Sequence, residues 1–370
     1  MSTATITCLC AAFHIPYEQP LPAKTELCHC KSCRHTSSGL FEGFVSLPES
    51  PGADVLARCT SYASSKTHTR YFCPTCGTKL FINSRYLSDG TPRDDSRAWF
   101  ALGGAVDPPN KGVEDVLSVD INMWLADTGD GGLAPYLRKL GGRDVACYQT
   151  YSGHMSDDEV NQLVESSKTL SQTASDQDWF KAECRCGGVS LQIQKANHAD
   201  RTVSKLDRYI PRDRDGKVEN DKHFSSACVC RSCRLHFGVS LAPWLYIPPA
   251  QILNPHTGEA VVQHHEAMAE EASKGANTGL SLKHYWSRKD CCRSFCSTCG
   301  AAVFYTRDDR PEITNIAAGL VRAEEGVMAR RWLSWQWGLV SFEQEATDRS
   351  IVEAWKATAE PWMKREPEFA

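Results

Sequence analysis

Long apolar runs are missing from this 370-residue chain. No stretch of about 18 apolar residues occurs, so no helical segment is expected to span a bilayer. The opening MSTATITCLCAAFHIPY lacks a basic region followed by an apolar one, so no secretory leader is expected and a cytoplasmic or nuclear location is read. A basic surplus is missing too. The formal net charge is −4 and the pI is near 6.3, which argues against a surface that tracks nucleic-acid phosphates. Long 3.6-residue periodicities are few, with Ile351 to Lys364 the best helix candidate. The segments FEGFVSLP, WLYIP, RYFC, TKLFI, AVFY and VSLQIQ read instead as short strands between polar turns.

What the chain has in excess is cysteine, eighteen in all. Most lie in tight CxC and CxxC pairs within a chain too long to need disulfides for a core, a pattern that favours metal thiolates in a reducing compartment. Hydrophobic residues make up 41%, enough for two cores.

The cysteines repeat. The first half carries Cys8 and Cys10, then Cys28, Cys30 and Cys33, then Cys73 and Cys76. The second carries Cys184 and Cys186, then Cys228, Cys230 and Cys233, then Cys296 and Cys299. Flanks agree as well: Lys66, Arg70 and Phe72 precede Cys73 at the offsets at which Lys289, Arg293 and Phe295 precede Cys296. The reading is a tandem duplication with a first zinc domain over 1–151, a Ser/Asp/Gln/Thr-rich linker over 152–178 containing a short amphipathic helix from Asp157 to Leu170, and a second zinc domain over 179–370. Two insertions lengthen the second copy, roughly Ala196 to Ser226 and Pro255 to Arg288. Both are expected to be surface excursions, the latter with a helix-like stretch around Glu266 to Ala272.

Cysteines at i and i+2 of a strand project from one face, and a CxxCG knuckle brings two sulfurs to one point. Cys8, Cys10, Cys73 and Cys76, and likewise Cys184, Cys186, Cys296 and Cys299, are expected to form closed tetrahedral structural zinc sites, disulfides being the alternative. Cys28, Cys30, Cys33 and Cys228, Cys230, Cys233 offer three thiolates each and no shared fourth. They read as zinc sites with an open position that could take water or a thiol, or as further structural sites completed by another ligand such as a histidine. The count is two zinc ions per chain if only the closed sites fill and four if all do. His29, between two cysteines, reads as a thiolate-orienting or proton-shuttling group, or as a loop cap. Arg34 and Ser37, in a polar tail, and Arg234, in a more apolar one, read as contacts for a substrate carboxylate or carbonyl, with surface hydrogen bonding the plainer fate of the arginines. Cys59, Cys147, Cys291 and Cys292 fall outside the pattern and read as small buried hydrophobes, with a vicinal redox pair the alternative for the last two.

At CHCKSCR with YFCPTCGTKLF, and at ECRCGGVSLQI with CVCRSCR and SFCSTCGAAVFY, the chain resembles the glutathione-dependent formaldehyde-activating enzyme family, also called the centromere protein V/Gfa domain. The resemblance spans about 300 residues and departs from the family at Ala11, where a glycine follows the CxC, and at Val229, where the loop histidine stands. It implies a mainly β chain of two tandem β-tent modules with short helices and loop insertions, a structural zinc and a second, labile zinc in each. It also implies a carbon–sulfur lyase activity of the S-(hydroxymethyl)glutathione synthase kind, with glutathione as co-substrate and a small thiol or aldehyde as partner. The alternatives are a non-catalytic zinc or glutathione-binding module, an interaction scaffold, and a tailoring enzyme of fungal secondary metabolism using the open zinc as a Lewis acid beneath a lid formed by the insertions.

Overall fold

The computed structural model describes residues 4–85, 98–109, 115–173, 177–198, 204–213, 215–261 and 279–359. The chain is mainly β, with few and short helices. Each half builds its principal sheet from seven strands in one order. In the first half these are Thr60–Ala63, His68–Phe72, Lys79–Ser84, Ala98–Leu102, Glu42–Leu47, Ala23–Cys28 and Leu117–Met123, extended by Ala146–Tyr148 and His154–Met155. In the second they are Leu282–Arg288, Cys291–Cys296, Ala302–Arg307, Thr314–Ala317, Ala242–Ile247, His223–Cys228 and Leu333–Ser341. Even the irregularities correspond. Ala23–Cys28 pairs in parallel with Leu117–Met123 through a bulge between Val119 and Ile121, and His223–Cys228 pairs in parallel with Leu333–Ser341 through a shift between Ser225 and Ala227. A bulge re-aims the residues beyond it, here toward the cysteine loop at each strand end. The segments after these strands also match: Trp124 and Phe342 both adopt left-handed backbone, with φ of 64° and 62°.

The two halves share one continuous hydrophobic core, and their contacts come in reciprocal pairs. Gly104 N donates to Gly238 O at 3.1 Å and Gly319 N donates to Ser38 O at 2.9 Å. A Cβ on Gly104 would lie 2.2 Å from Val239 N, and one on Gly319 2.2 Å from Gly39 O, so the backbones meet more closely than any side chain permits. The knuckle glycines repeat the pattern. Gly77 lies beneath the ring of Phe295 and Gly300 beneath that of Phe72, while the two rings meet edge to face at 6.3 Å. Asp348 ties the halves elsewhere, accepting from Leu117 N at 2.7 Å and from Ser240 Oγ at 2.5 Å.

Several expected elements take a different form. The helix read within the linker runs Asp157–Thr173. It opens on a capping box in which Ser156 N donates to Glu159 Oε2 at 2.7 Å and Glu159 N to Ser156 Oγ at 3.3 Å. It is docked, since Val160 is buried against Leu125, Ala134 and Met155. The insertion from Ala196 is no mere surface excursion: its end is the wholly buried strand His223–Cys228. The helix-like stretch at Glu266 to Ala272 lies outside the described residues, as does the end of the Ile351–Lys364 candidate. Within them that helix runs Arg349–Ala357 and buries Ile351, Val352 and Trp355.

Candidate metal centres and the cavities above them

All eighteen cysteines are free, and fourteen of them gather into four clusters whose sulfurs lie within 4.8 Å of one another. Cys8, Cys10, Cys73 and Cys76 form one four-sulfur cluster, and Cys184, Cys186, Cys296 and Cys299 its counterpart. In the first, Cys8 Sγ to Cys10 Sγ is 3.4 Å and Cys10 Sγ to Cys73 Sγ is 3.5 Å. A tetrahedral ion with metal–sulfur bonds of about 2.3 Å would space its sulfurs by about 3.8 Å, so both clusters fit a thiophilic ion such as zinc. Backbone amides turned toward the sulfurs suit thiolates rather than thiols: Phe13 N to Cys8 at 3.4 Å, Val189 N to Cys184 at 3.3 Å and Gly188 N to Cys186 at 3.4 Å.

The turn after each CxC requires left-handed backbone. Gly187 supplies it at φ 76°, whereas Ala11 is forced to φ 59°. Ala11→Gly is therefore expected to stabilise the chain by about 0.5–1 kcal/mol, the left-handed penalty less the glycine entropy. An unchanged or lowered denaturation midpoint would contradict this.

The three-cysteine clusters arise where a strand runs into a helix. Cys28 ends Ala23–Cys28, Cys30 caps the helix Lys31–Ser37, and Cys33 lies in its first turn with its amide 3.3 Å from Cys30 Sγ. Cys228, Cys230 and Cys233 repeat this on the helix Arg231–Phe237. Asp127 accepts from Lys31 N at 2.9 Å and Glu345 from Arg231 N at 2.8 Å, so a carboxylate from the neighbouring strand end secures each helix start. Among the described residues no fourth histidine, cysteine or carboxylate joins either trio.

Above the first trio opens a cavity of about 920 Å³. Cys28, Cys30 and Cys33 form part of its wall, with Phe44, Phe100, Trp124 and Tyr151 as apolar surface and Lys24, Lys31, Asp120 and Asp127 as charges. Arg185, from the second half, also lines it. It is carried there by Arg185 N donating to His35 O at 2.9 Å and Nη2 to Ser64 O at 3.2 Å. His68 faces the same space, with Nε2 2.9 Å from Ser84 Oγ and Nδ1 2.8 Å from Thr67 Oγ1. Burial, reinforced by Arg70, lowers its pKa and keeps it neutral. Beneath the trio, Arg70 donates to Glu42 Oε1 at 2.9 Å, to Oε2 at 2.7 Å and to Cys33 Sγ at 3.2 Å. Burial alone would lower the guanidinium, but Glu42 and Cys33 outweigh it and hold Arg70 charged.

The second trio lines a cavity of about 240 Å³. The difference in size follows from the paired positions. Ser46 faces Phe100 across the first sheet where Tyr246 faces Asn315 in the second, and Ile82 pairs with Arg70 where Tyr305 pairs with Arg293. Glu42, opposite Cys28, becomes Ala242 opposite Cys228. Arg293 accordingly meets Cys233 Sγ at 3.6 Å and the Tyr305 ring at 4.5 Å in place of a carboxylate. The insertion contributes Tyr209, stacked on Tyr246 at 5.0 Å. This part of the insertion narrows the cavity, while residues 262–278 of the second insertion lie outside the described residues.

Three residues expected to meet substrate, Arg34, Ser37 and Arg234, lie elsewhere, and His29 takes the loop-tethering one of its two readings. Arg34 is buried, with Nε donating to His29 O at 2.8 Å and Nη2 to Asp127 O at 2.8 Å. Ser37 Oγ donates to Cys33 O at 3.0 Å inside the helix. Arg234 turns inward to Gly104 O at 2.6 Å and Val106 O at 3.0 Å. A guanidinium satisfies several carbonyls at once, so these arginines hold the loop and the junction between halves, and none of the three lines either cavity. His29 is fully buried, with Nε2 3.0 Å from Asn122 Oδ1, and burial pulls its pKa to about 4. It is a neutral tether for the loop, facing Phe41 rather than the cavity.

Of the cysteines outside the clusters, burial pushes Cys59 and Cys292 up to about 12, which keeps them protonated. Cys147 is buried. Cys291 and Cys292 are consecutive in the strand Cys291–Cys296 and so point to opposite faces, unsuited to pairing. No described helix is long and apolar enough to cross a membrane.

Fold and site together define a mainly β protein with clustered thiolates suited to metal ions and a solvent-open cavity over one of its trios. Residues 3–110 match the model of the family described as glutathione-dependent formaldehyde-activating enzyme. The match covers the first half's motifs and does not extend to the second. No curated protein and no solved structure matches the chain.

Proposed function

We propose that the chain is a zinc-dependent enzyme that reversibly joins a small thiol of the glutathione type to an aldehyde, with the first cavity as its reaction site. The two halves are read as diverged copies of one module, divided at about residues 152–178. In this reading Cys8, Cys10, Cys73, Cys76 and Cys184, Cys186, Cys296, Cys299 hold structural zinc, and Cys28, Cys30 and Cys33 hold a zinc with one vertex free. The observation that carries the proposal is a three-sulfur cluster with no fourth ligand among the described residues, opening onto a cavity large enough for a tripeptide thiol. Bound there, zinc would supply a Lewis-acidic vertex that lowers the pKa of an incoming thiol.

The chain's own groups have separate tasks. Lys24, Lys31 and Arg185 suit the carboxylates of the thiol, and Asp120 and Asp127 its ammonium group. Phe44, Phe100 and Trp124 exclude water around the reacting carbons. The thiol sulfur forms a bond to the carbonyl carbon, the carbonyl π pair moves to oxygen, and that oxygen takes the proton the thiol released. Neutral His68, held by Thr67 and Ser84, is suited to relay that proton. In reverse, the hydroxyl proton returns to sulfur as the carbon–sulfur bond breaks.

The test is exchange spectroscopy by NMR on glutathione, formaldehyde and their hydroxymethyl adduct at equilibrium. The wild-type chain is expected to accelerate exchange, and Cys30→Ala to reduce the acceleration by about 100-fold or more. Equal exchange rates with wild-type and Cys30→Ala protein would defeat the proposal. Thiol binding by calorimetry without faster exchange would leave a binding module instead.

A further inference from the structure

The second cavity differs from the first in charge as well as in size. Five arginines line it, Arg208, Arg288, Arg293, Arg307 and Arg310, against one carboxylate among the described lining residues, Glu345. Glu345 Oε2 is already engaged by Arg231 N at 2.8 Å. Arg288 and Arg307 are met by Asp290 and Asp309. Arg293 and Arg310 have no carboxylate partner among the described residues, although they are only 3% and 7% exposed. Arg310 sends Nη2 to Asn315 Oδ1, and among the described residues its buried Nη1 and the Nε of Arg293 have no hydrogen-bond partner. Arg293 also meets Cys233 Sγ at 3.6 Å and the Tyr305 ring at 4.5 Å, whereas the neighbours of Arg310 besides Asn315 are ring faces, those of Tyr209, Tyr246 and Tyr305 within 5.8 Å.

Burying guanidinium groups without counter-charges is unfavourable unless something compensates them. The first half shows the usual compensation, Glu42 on Arg70. In the second half that carboxylate is Ala242, and Arg293 and Arg310 line a small chamber walled by tyrosines. A planar fork of N–H donors is matched by a carboxylate or a phosphate, and aromatic walls accept a short apolar body behind it.

We propose that the second cavity binds a small organic anion, a carboxylate or phosphate on a short body, with Arg310 and Arg293 as its counter-charges. The site does not depend on turnover at the first cavity, and its test uses none. Isothermal calorimetry on the full chain, with inorganic phosphate and acetate as separate probes, is expected to show saturable binding of at least one, weakening as salt rises; the stronger probe identifies the head group. Arg310→Gln should weaken that binding at least about tenfold, and Arg310→Lys less. Asn315→Asp keeps the side chain's shape while setting a carboxylate against Arg310. It should abolish binding with the thermal melt retained, which guards against a fold defect in the arginine variants. No saturable binding of either probe at millimolar concentration, or undiminished binding in Asn315→Asp, would overturn the proposal.

Discussion

Replacing Cys76 by alanine, or stripping metal with a strong chelator, is expected to unfold both halves together. The four-sulfur clusters are buried, with Cys8, Cys73 and Cys76 at 0% exposure, and each fastens the amino-terminal CxC of its half to a knuckle far along the chain. Structural zinc in such sites carries an apparent binding free energy of about 10–16 kcal/mol, comparable to or larger than the about 5–15 kcal/mol that separates most folded domains from unfolded chains. The loss does not stay local. Gly77, next to Cys76, packs under Phe295, and the core runs through both halves without a break. Scanning calorimetry with metal analysis should show the parent's cooperative transition vanish or fall far in temperature. Cys30→Ala, which spares both closed clusters, should shift it much less. A Cys76→Ala protein melting like the parent, or one in which a single half survives intact, would contradict this account.

Removing the carboxylate beneath the first trio is the second large effect. Glu42→Ala would leave Arg70 charged and buried, with Cys33 alone to answer it, and is expected to destabilise by about 3–5 kcal/mol. The second half already lives with that alanine, as Ala242, and the reason is visible: the ring of Tyr305 lies 4.5 Å from Arg293 where Ile82 stands beside Arg70. The double variant Glu42→Ala with Ile82→Tyr should therefore recover part of the loss, about 1–2 kcal/mol for a desolvated cation–π contact. The first cavity has room for the ring. Urea denaturation of the four proteins forms a double-mutant cycle; a cycle with no coupling would show that Tyr305 is not what sustains Arg293.

The membership of each cysteine cluster was legible because it rests on local geometry. Cysteines two apart in a strand share a face, and a CxxCG turn converges its sulfurs wherever it occurs, so Cys8, Cys10, Cys73 and Cys76 could be grouped by spacing. Strands such as Lys79–Ser84 were legible from their aromatic and β-branched content. The directions of Arg34 and Arg234 were not. An arginine beside a metal loop reads as a surface group, and only the carbonyls of His29, Asp127, Gly104 and Val106, brought there by the fold, give it reason to turn inward. His68 and Arg185 carried no signal, because neither is near the trio along the chain.

Spacing of sulfurs, alternation along short strands and the order of the motifs are properties of adjacent residues. The sequence alone therefore determined which thiolates gather and that the chain is mainly β. Tertiary structure alone decided the rest: that the halves interlock through Gly104 and Gly319, that Arg70 is answered by Glu42 while Arg293 meets Cys233 and a tyrosine ring instead, and that one cavity is about 920 Å³ and the other about 240 Å³. Those outcomes depend on atoms from distant segments meeting within a few ångströms, and no pattern confined to neighbouring residues records which segments will meet.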